Sequence, residues 1–330
     1  MKVAIFSTKY YEKDYLNKHN ANTTHELIYF DVPLNKISLA LTIGYDAVCV
    51  TLTDTINKEV IQGLAHNNIQ LIDLRTAGYD YVDINAAAEK NITVLRVPAY
   101  SPEAIAEHAT ALILTLNRKT HKAFNRVREH NFSINNLMGF NLNGKTVGVI
   151  GTGKIGRAFC NIMQGFGCSV IAYDIKQSPK VIAKGIAYKS FDDVLAQSDI
   201  VAIHCPLNEQ TKYLFNTAAF AKMKKGAMLI NTSRGAVINT TDAIEALKTE
   251  QLGYLGIDVY EGEAELFFKD LSNEVIDDDV MAQLLSFSNV LVTPHQAFFT
   301  TEAVNEIAKI TIKNFSDFEK GGKLENQIIV

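Results

Sequence analysis

The sequence predicts an α/β protein built from two doubly wound parallel-sheet domains. Three observations carry that prediction: strand-like apolar runs alternate with helix-like runs over most of the 330 residues, the alternation restarts after a long helical connection beginning near Ser101, and the second half opens on an apolar run ending in three closely spaced glycines. A single core stops growing below this length, so each half is expected to bury its own.

In the first half the predicted strands are Val3 to Phe6, Leu27 to Phe30, Ala47 to Val50, Gln70 to Leu74 and Thr93 to Val97, with helical patterns between them. The opening residues from Met1 read as the first of these strands and not as a leader, because the apolar run is one strand long and charge returns at Lys9. Two loops stand at predicted strand ends, Arg75-Thr76-Ala77-Gly78-Tyr79-Asp80 and Val97-Pro98-Ala99-Tyr100-Ser101-Pro102. In open α/β sheets ligands bind beyond the carboxyl ends of strands, so the backbone amides of Ala77 and Gly78 are candidates to hold a small carboxylate; the alternative is two ordinary turns.

Ser101-Pro102-Glu103 gives a helix start, with a capping serine, proline in the first turn and an early acidic residue. The apolar positions Ile105, Ala109, Leu112, Ile113 and Leu116 continue the helix, and a single long helix running on toward His130 is expected to connect the domains. His108 and His121 on it read as packed or solvated helix residues.

The second half begins with the apolar strand Val147, Val149, Ile150 and then Gly151-Thr-Gly153-Lys-Ile-Gly156. Each glycine has a separate task in such a turn: the first permits the bend, the second lets backbone approach a pyrophosphate, and the third lets the following helix pack on the strand. A helix over Arg157 to Phe166 and a strand over Cys168 to Tyr173 follow, ending at Asp174, about 20 residues beyond, where a carboxylate suits ribose hydroxyls. An anion at that position opposes a 2′-phosphate, so NAD is expected over NADP.

The alternation continues through helix Phe191 to Gln197, strand Ile200 to His204, helix Thr217 to Lys224, strand Ala227 to Thr232, helix Thr241 to Lys248, and strands Gly253 to Val259 and Val290 to Val292. Asp277, Asp278 and Asp279 precede a helix over Val280 to Leu285 and read as helix-capping acids, not metal ligands. A helical pattern over Thr300 to Glu319 is expected to return to the first domain.

Three strand ends each deliver a polar residue suited to reducing a 2-keto acid: Arg234, Glu263 and His295. Hydride arriving at a ketone carbon leaves negative charge on oxygen, and imidazolium is the natural proton donor near neutral pH. A carboxylate on the other ring nitrogen would orient the ring and favour its charged form, which is the role read for Glu263. Arginine's planar fork suits a substrate carboxylate, which is the role read for Arg234. Singly, each has a plainer reading as an ion pair, a solvated loop residue or a turn histidine.

The runs Gly-Thr-Gly-Lys-Ile-Gly, Asn231-Thr-Ser-Arg-Gly-Ala, Asp258-Val-Tyr-Glu and Thr293-Pro-His-Gln-Ala-Phe resemble the D-2-hydroxyacid dehydrogenase family, and most closely its fermentative, NAD-dependent D-lactate branch. The branch is indicated by Pro98 to His108, Met138-Gly139-Phe140 and His295-Gln296-Ala297-Phe298. The resemblance implies a Rossmann NAD-binding domain over 101–298 and a flavodoxin-like substrate domain from 1–100 and 299–330, with a cleft between them. It also implies homo-oligomerisation, as a dimer through the NAD domain or a tetramer. It makes Arg234, Glu263 and His295 the catalytic set, places Ala77, Gly78, Tyr100 and Phe298 at the substrate, and adds Lys154, Ile155, Cys205, Pro206, Thr232 and Asp258 to Gly151, Gly153, Gly156 and Asp174 at the cofactor. Where some relatives carry a tyrosine after the third strand, this chain has Thr51-Leu52-Thr53, which alters the pocket floor.

The expected reaction is reduction of pyruvate to D-lactate by NADH, reversibly. The alternatives are a dehydrogenase of bulkier 2-keto acids and a non-catalytic NAD-sensing module. A net charge of −4 without a long basic run gives no footprint for nucleic acid or anionic lipid. No apolar stretch has membrane-spanning length, so a cytoplasmic protein with a small-molecule substrate is expected. Cys49, Cys160, Cys168 and Cys205 form no CxxC pair and are expected to be buried free thiols, with neither disulfide nor metal.

Overall fold

Five short strands, β1 (Lys2–Ile5), β2 (Glu26–Tyr29), β3 (Ala47–Val50), β4 (Leu71–Leu74) and β5 (Thr93–Arg96), pair in parallel in the order β2-β1-β3-β4-β5. This is the 2-1-3-4-5 order of flavodoxin-like sheets. The structure is a computed structural model describing residues 1–329, and these strands belong to one of two units: Met1–Ser101 together with the chain from Phe299 onward.

Helices cover both faces of this sheet, so its strands are apolar on both sides and read as continuous runs. Val48, Val50, Ile72 and Leu74 face Val60, Ile61 and Leu64 of helix Lys58–His66. Ala47, Cys49, Leu71 and Leu95 face Ala308, Ile312 and Phe315 of helix Thr301–Glu319. Phe315 is fully buried, a contribution of about 2–3 kcal/mol by area. Polar contacts cross this layer too, among them Asn314 Nδ2 donating to Asp73 Oδ1 at 2.6 Å. Burial pushes the Asp73 carboxyl up to about 7 despite that bond.

The other unit, Pro102–Phe298, holds β6 (Thr146–Ile150), β7 (Ser169–Tyr173), β8 (Ala187–Tyr188), β9 (Ile200–Ile203), β10 (Ala227–Asn231), β11 (Leu252–Ile257) and β12 (Val290–Val292). They form one parallel sheet in the order β12-β11-β10-β9-β6-β7-β8. The chain therefore starts in the middle, steps outward through β7 and β8, then returns to the other side of β6 at β9. That reversal opens the crevice in which doubly wound sheets hold a nucleotide.

Helix Pro102–Arg118 packs against helix Lys154–Gly165, with Ala109, Leu112, Ile113 and Leu116 meeting Phe159, Cys160 and Met163 above Val147 and Val149. The expected single helix from Ser101 to His130 is in fact two. Lys119 adopts a left-handed backbone, φ 50°, and a second helix, Thr120–Arg128, starts from it. The short strand β8 was not expected. The helix after the glycine turn begins at Lys154, three residues before the expected start.

Asp278 caps helix Asp279–Ser286 by accepting from the Met281 amide at 2.8 Å. Cys49, Cys160 and Cys168 are buried free thiols, whereas Cys205 is free but only half-buried because it lies in the loop beyond β9. Among the described residues no helix is long and apolar enough to cross a membrane.

Candidate active site

The turn after β6 is built so that only glycine fits at its ends. Gly151 has φ +94°, and a Cβ there would lie 2.7 Å from the Cys205 amide nitrogen. A Cβ on Gly156 would lie 2.0 Å from the Gly151 carbonyl oxygen, so the helix could not start this close to the strand. Gly153 faces open space and caps the helix without a side chain, and no acidic residue lies in the first turn. The first amides of a twelve-residue helix, at Lys154 and Ile155, are thus left to an anion.

Asp174, beyond the end of β7, is fixed from the same turn. Its Oδ2 accepts from the Thr152 amide at 2.6 Å and the Thr152 hydroxyl at 2.9 Å, and Oδ1 accepts from the Lys176 amide at 3.0 Å. Burial alone would raise its pKa, but these donors outweigh burial and hold the carboxyl below the usual range. An anionic acceptor is therefore ready for ribose hydroxyls. The Thr232 hydroxyl, past the end of β10, is buried without a protein partner. An open glycine, uncapped helix amides, an anchored aspartate and this orphaned hydroxyl together fit a dinucleotide.

His204 sits at the end of β9 beside Gly151 and was not singled out by sequence reasoning. Both of its ring nitrogens are buried without partners, its ring lies 4.9 Å from that of Phe159, and burial pushes its pKa down to about 3. The folded protein therefore refuses a proton that the unfolded chain takes up near pH 6.5. This costs nothing above pH 6.5 and grows as pH falls from there toward 3. His204→Leu should remove that slope: urea titrations should find its stability advantage larger at pH 5 than at pH 7.5 by about 2 kcal/mol.

The chemistry-bearing residues follow three adjacent strands. β10, β11 and β12 are parallel neighbours, so their carboxyl ends deliver Arg234, Glu263 and His295 on one side of the sheet. Glu263 Oε1 lies 3.0 Å from His295 Nδ1, and Glu263 Oε2 accepts from the Tyr260 amide at 3.0 Å. A carboxylate only accepts, so Nδ1 carries hydrogen and Nε2 is left to face a reactant. His295 itself has φ 54° and donates its amide to the Thr293 carbonyl at 3.0 Å, a turn around Pro294. Such a backbone costs a non-glycine residue on the order of 1 kcal/mol.

Arg234 is held by its backbone. The fully buried Asn231 donates from Nδ2 to the Arg234 carbonyl at 2.9 Å, while its Oδ1 accepts from the Ser233 amide and hydroxyl at 3.0 and 2.8 Å. A Cβ on Gly235 would sit 2.1 Å from the Tyr260 carbonyl carbon and 2.3 Å from the Glu261 nitrogen. The arginine loop and the loop leading to Glu263 thus touch through a glycine. Gly235→Ala should force them apart and misplace Glu263, lowering kcat by about 10²; steady-state kinetics with NADH binding as a control will measure this.

Asp258 is wholly buried past the end of β11. It accepts from the Thr293 hydroxyl at 2.5 Å and from the Gln296 and Ala297 amides at 2.9 and 2.8 Å, and so ties down both sides of His295. His108 joins this group, with Nε2 3.0 Å from Thr293 Oγ1 and 3.4 Å from Asp258 Oδ1. The sequence makes it a packed or solvated helix residue, and here it is packed. Its spacing of four from the buried Ala104 and Leu112 was the available sign that it faces inward. Phe298 closes the same loop, and Cys205 and Pro206 follow β9 beside the glycine turn.

In the other unit, Ala77 and Gly78 lie just past β4, and Tyr100 just past β5. The Ala77 and Gly78 amides have no acceptor among the described residues. Each sits in a half-buried loop, a placement suited to receiving a small anion.

The profile of the family described as D-isomer specific 2-hydroxyacid dehydrogenase, NAD binding domain, matches residues 110–297. A 2-hydroxyacid dehydrogenase homolog of Haemophilus influenzae is 47% identical over 329 residues, covering 100% of this chain and 99% of that protein. The D-lactate dehydrogenase of Escherichia coli is 45% identical over 329 residues, covering 100% of both. A solved structure of the pyruvate reductase of Chlamydomonas reinhardtii superposes with a TM-score of 0.92 at 44% identity, covering 99% of this chain and 98% of that one. Since most of the nucleotide-binding unit matches the family profile and the likeness to relatives runs the length of the chain, it belongs to the D-isomer specific 2-hydroxyacid dehydrogenases, NAD-dependent oxidoreductases.

Proposed function

We propose that this dehydrogenase reduces pyruvate to D-lactate, and oxidises D-lactate in the reverse direction. The reading is carried by the His295–Glu263 pair at 3.0 Å, which leaves one ring nitrogen of a polarised histidine for a reacting oxygen. Two relatives of similar length bear the names D-lactate dehydrogenase and pyruvate reductase, which supports the small substrate.

NADH, when bound, supplies the hydride. Gly151, Gly153, Lys154, Ile155 and Gly156 would hold its pyrophosphate, Asp174 its ribose, and Cys205, Pro206, Thr232 and Asp258 the remainder. His295 Nε2 gives a proton to the keto oxygen as charge develops there, and takes it back in the reverse reaction. Glu263 keeps the ring in the orientation and tautomer this needs. Arg234 clamps the substrate carboxylate with paired charge-assisted hydrogen bonds. In the amino-terminal unit, the Ala77 and Gly78 amides are assigned to a substrate carboxylate and Tyr100 to the substrate; in the NAD-binding unit, Phe298 is assigned to the substrate as well.

We place homo-oligomer formation on the NAD-binding unit, as a dimer or a tetramer, because Phe124, Phe132, Ile134 and Met138 expose 62%, 72%, 83% and 86% of their surface in one stretch. Light scattering on the purified protein tests this.

The activity is tested by following NADH oxidation with pyruvate and resolving the product on a chiral column. D-lactate at an enzymatic rate supports the reading. Turnover only with larger 2-keto acids moves the substrate, and tight NADH binding without turnover on any of them removes the catalytic role.

A further inference from the structure

We propose that Arg96 is a positioning residue for the substrate carboxylate, acting by turning the Gly78 amide outward. The inference rests on the reading that the Ala77 and Gly78 amides receive that carboxylate. It concerns how two backbone donors come to point the same way, a feature that residue identity at 77 and 78 does not explain.

A trans peptide is planar, with its carbonyl and N–H pointing in opposite directions. The Ala77 carbonyl and the Gly78 amide belong to one such plane, and the Thr76 carbonyl and the Ala77 amide to the plane before it. Arg96 Nη1 donates to the Ala77 carbonyl at 2.7 Å, and the Val97 amide donates to the Thr76 carbonyl at 3.2 Å. Both carbonyls are therefore drawn toward the end of β5, and both amides face the other way. Two successive amides on one side make an anion receptor.

One anchor is backbone and the other is a side chain, so the second can be removed. Arg96 is itself fixed. Its guanidinium carbon lies 5.1 Å from the centre of the Tyr79 ring, its amide donates to the Asn326 carbonyl at 3.1 Å, and its carbonyl accepts from Asn314 Nδ2 at 3.1 Å. The next peptide is held separately, since the Thr76 hydroxyl donates to the Gly78 carbonyl at 2.7 Å and pairs with the Tyr81 hydroxyl at 2.9 Å. Within this loop, the one side-chain hydrogen bond on the plane that carries the Gly78 amide comes from Arg96. Methionine at 96 keeps the length and apolar contact of the stem and loses the donor.

The test compares Arg96→Met, Arg96→Lys and Gly78→Pro, reading KM and kcat for pyruvate, the inhibition constant of oxamate in the NADH complex, NADH affinity and thermal midpoint. Arg96→Met should raise KM and the oxamate constant about 30-fold, leave kcat and NADH affinity within about threefold, and stay folded. Arg96→Lys should recover a large part, because one donor on the Ala77 carbonyl suffices. If Gly78→Pro weakens pyruvate and oxamate while Arg96→Met does not, the amides bind the carboxylate but Arg96 does not position them. If neither variant changes either constant, the carboxylate reading of this loop falls and the role of Arg96 with it. A loss in kcat and NADH affinity equal to the loss in KM would reduce Arg96 to a structural part and overturn the proposal.

Discussion

His295→Ala should lower kcat for pyruvate reduction by about 10² to 10⁴, with NADH affinity unchanged within about threefold. In the proposed mechanism the substitution removes the proton donor, while the residues assigned to the cofactor lie on other loops. It also relieves little backbone strain, since alanine tolerates φ 54° no better than histidine. Stopped-flow single-turnover kinetics separates the chemical step from release of product. A His295→Ala enzyme with near-normal turnover would take the histidine out of the mechanism, and the Glu263 contact would become a structural ion pair. Glu263→Gln provides the companion measurement: it keeps a group that can bond the ring but removes the charge, so its loss in kcat should be smaller than that of His295→Ala.

Arg234→Gln should reduce kcat/KM for pyruvate by about 10³, the largest effect expected at the substrate side. Most of the loss should appear in KM, because the carboxylate is bound in ground and transition states alike. The fold should survive, since Asn231 grips the Arg234 backbone carbonyl and not the guanidinium. Arg234→Lys should restore charge but not the planar fork, and so recover only part of the loss. A thermal midpoint close to wild type, alongside a raised KM, distinguishes this from general destabilisation. An unchanged KM would remove Arg234 from the substrate carboxylate.

Apolar runs made most strands readable. Ala47 to Val50, between polar neighbours, has one interpretation, and the observed β3 has those same bounds. Gly151 and Gly156 were legible because only glycine satisfies a positive φ or a 2.0 Å approach, so residue type and backbone requirement coincide. The His295–Glu263 contact was legible because each residue follows a predicted strand and the roles proposed for them complement one another.

The break at Lys119 was not legible. No glycine or proline marks it, and lysine has no preference for the left-handed conformation it adopts there. His108 is packed on its helix, one of the two states expected of it, but its link to Thr293 was not legible, since it spans 185 positions and depends on how one helix lies across the sheet. His204 was likewise absorbed into an apolar strand end. Its unusual state comes from missing partners, and only three-dimensional structure can reveal that.

The helix Thr301–Glu319 has a consequence for the order in which the protein is made. It supplies Phe315 to the first sheet and Asn314 to the buried Asp73 carboxyl, so the first unit has no complete core until that helix exists. A ribosome adding about 5–20 residues per second releases the amino-terminal strands roughly 10–50 seconds before their missing helix. The middle unit, contiguous in the chain, can finish folding during that wait. The amino-terminal strands meanwhile carry an uncovered apolar face, and it is there, in the nascent chain and not in the finished enzyme, that chaperones have most to hold.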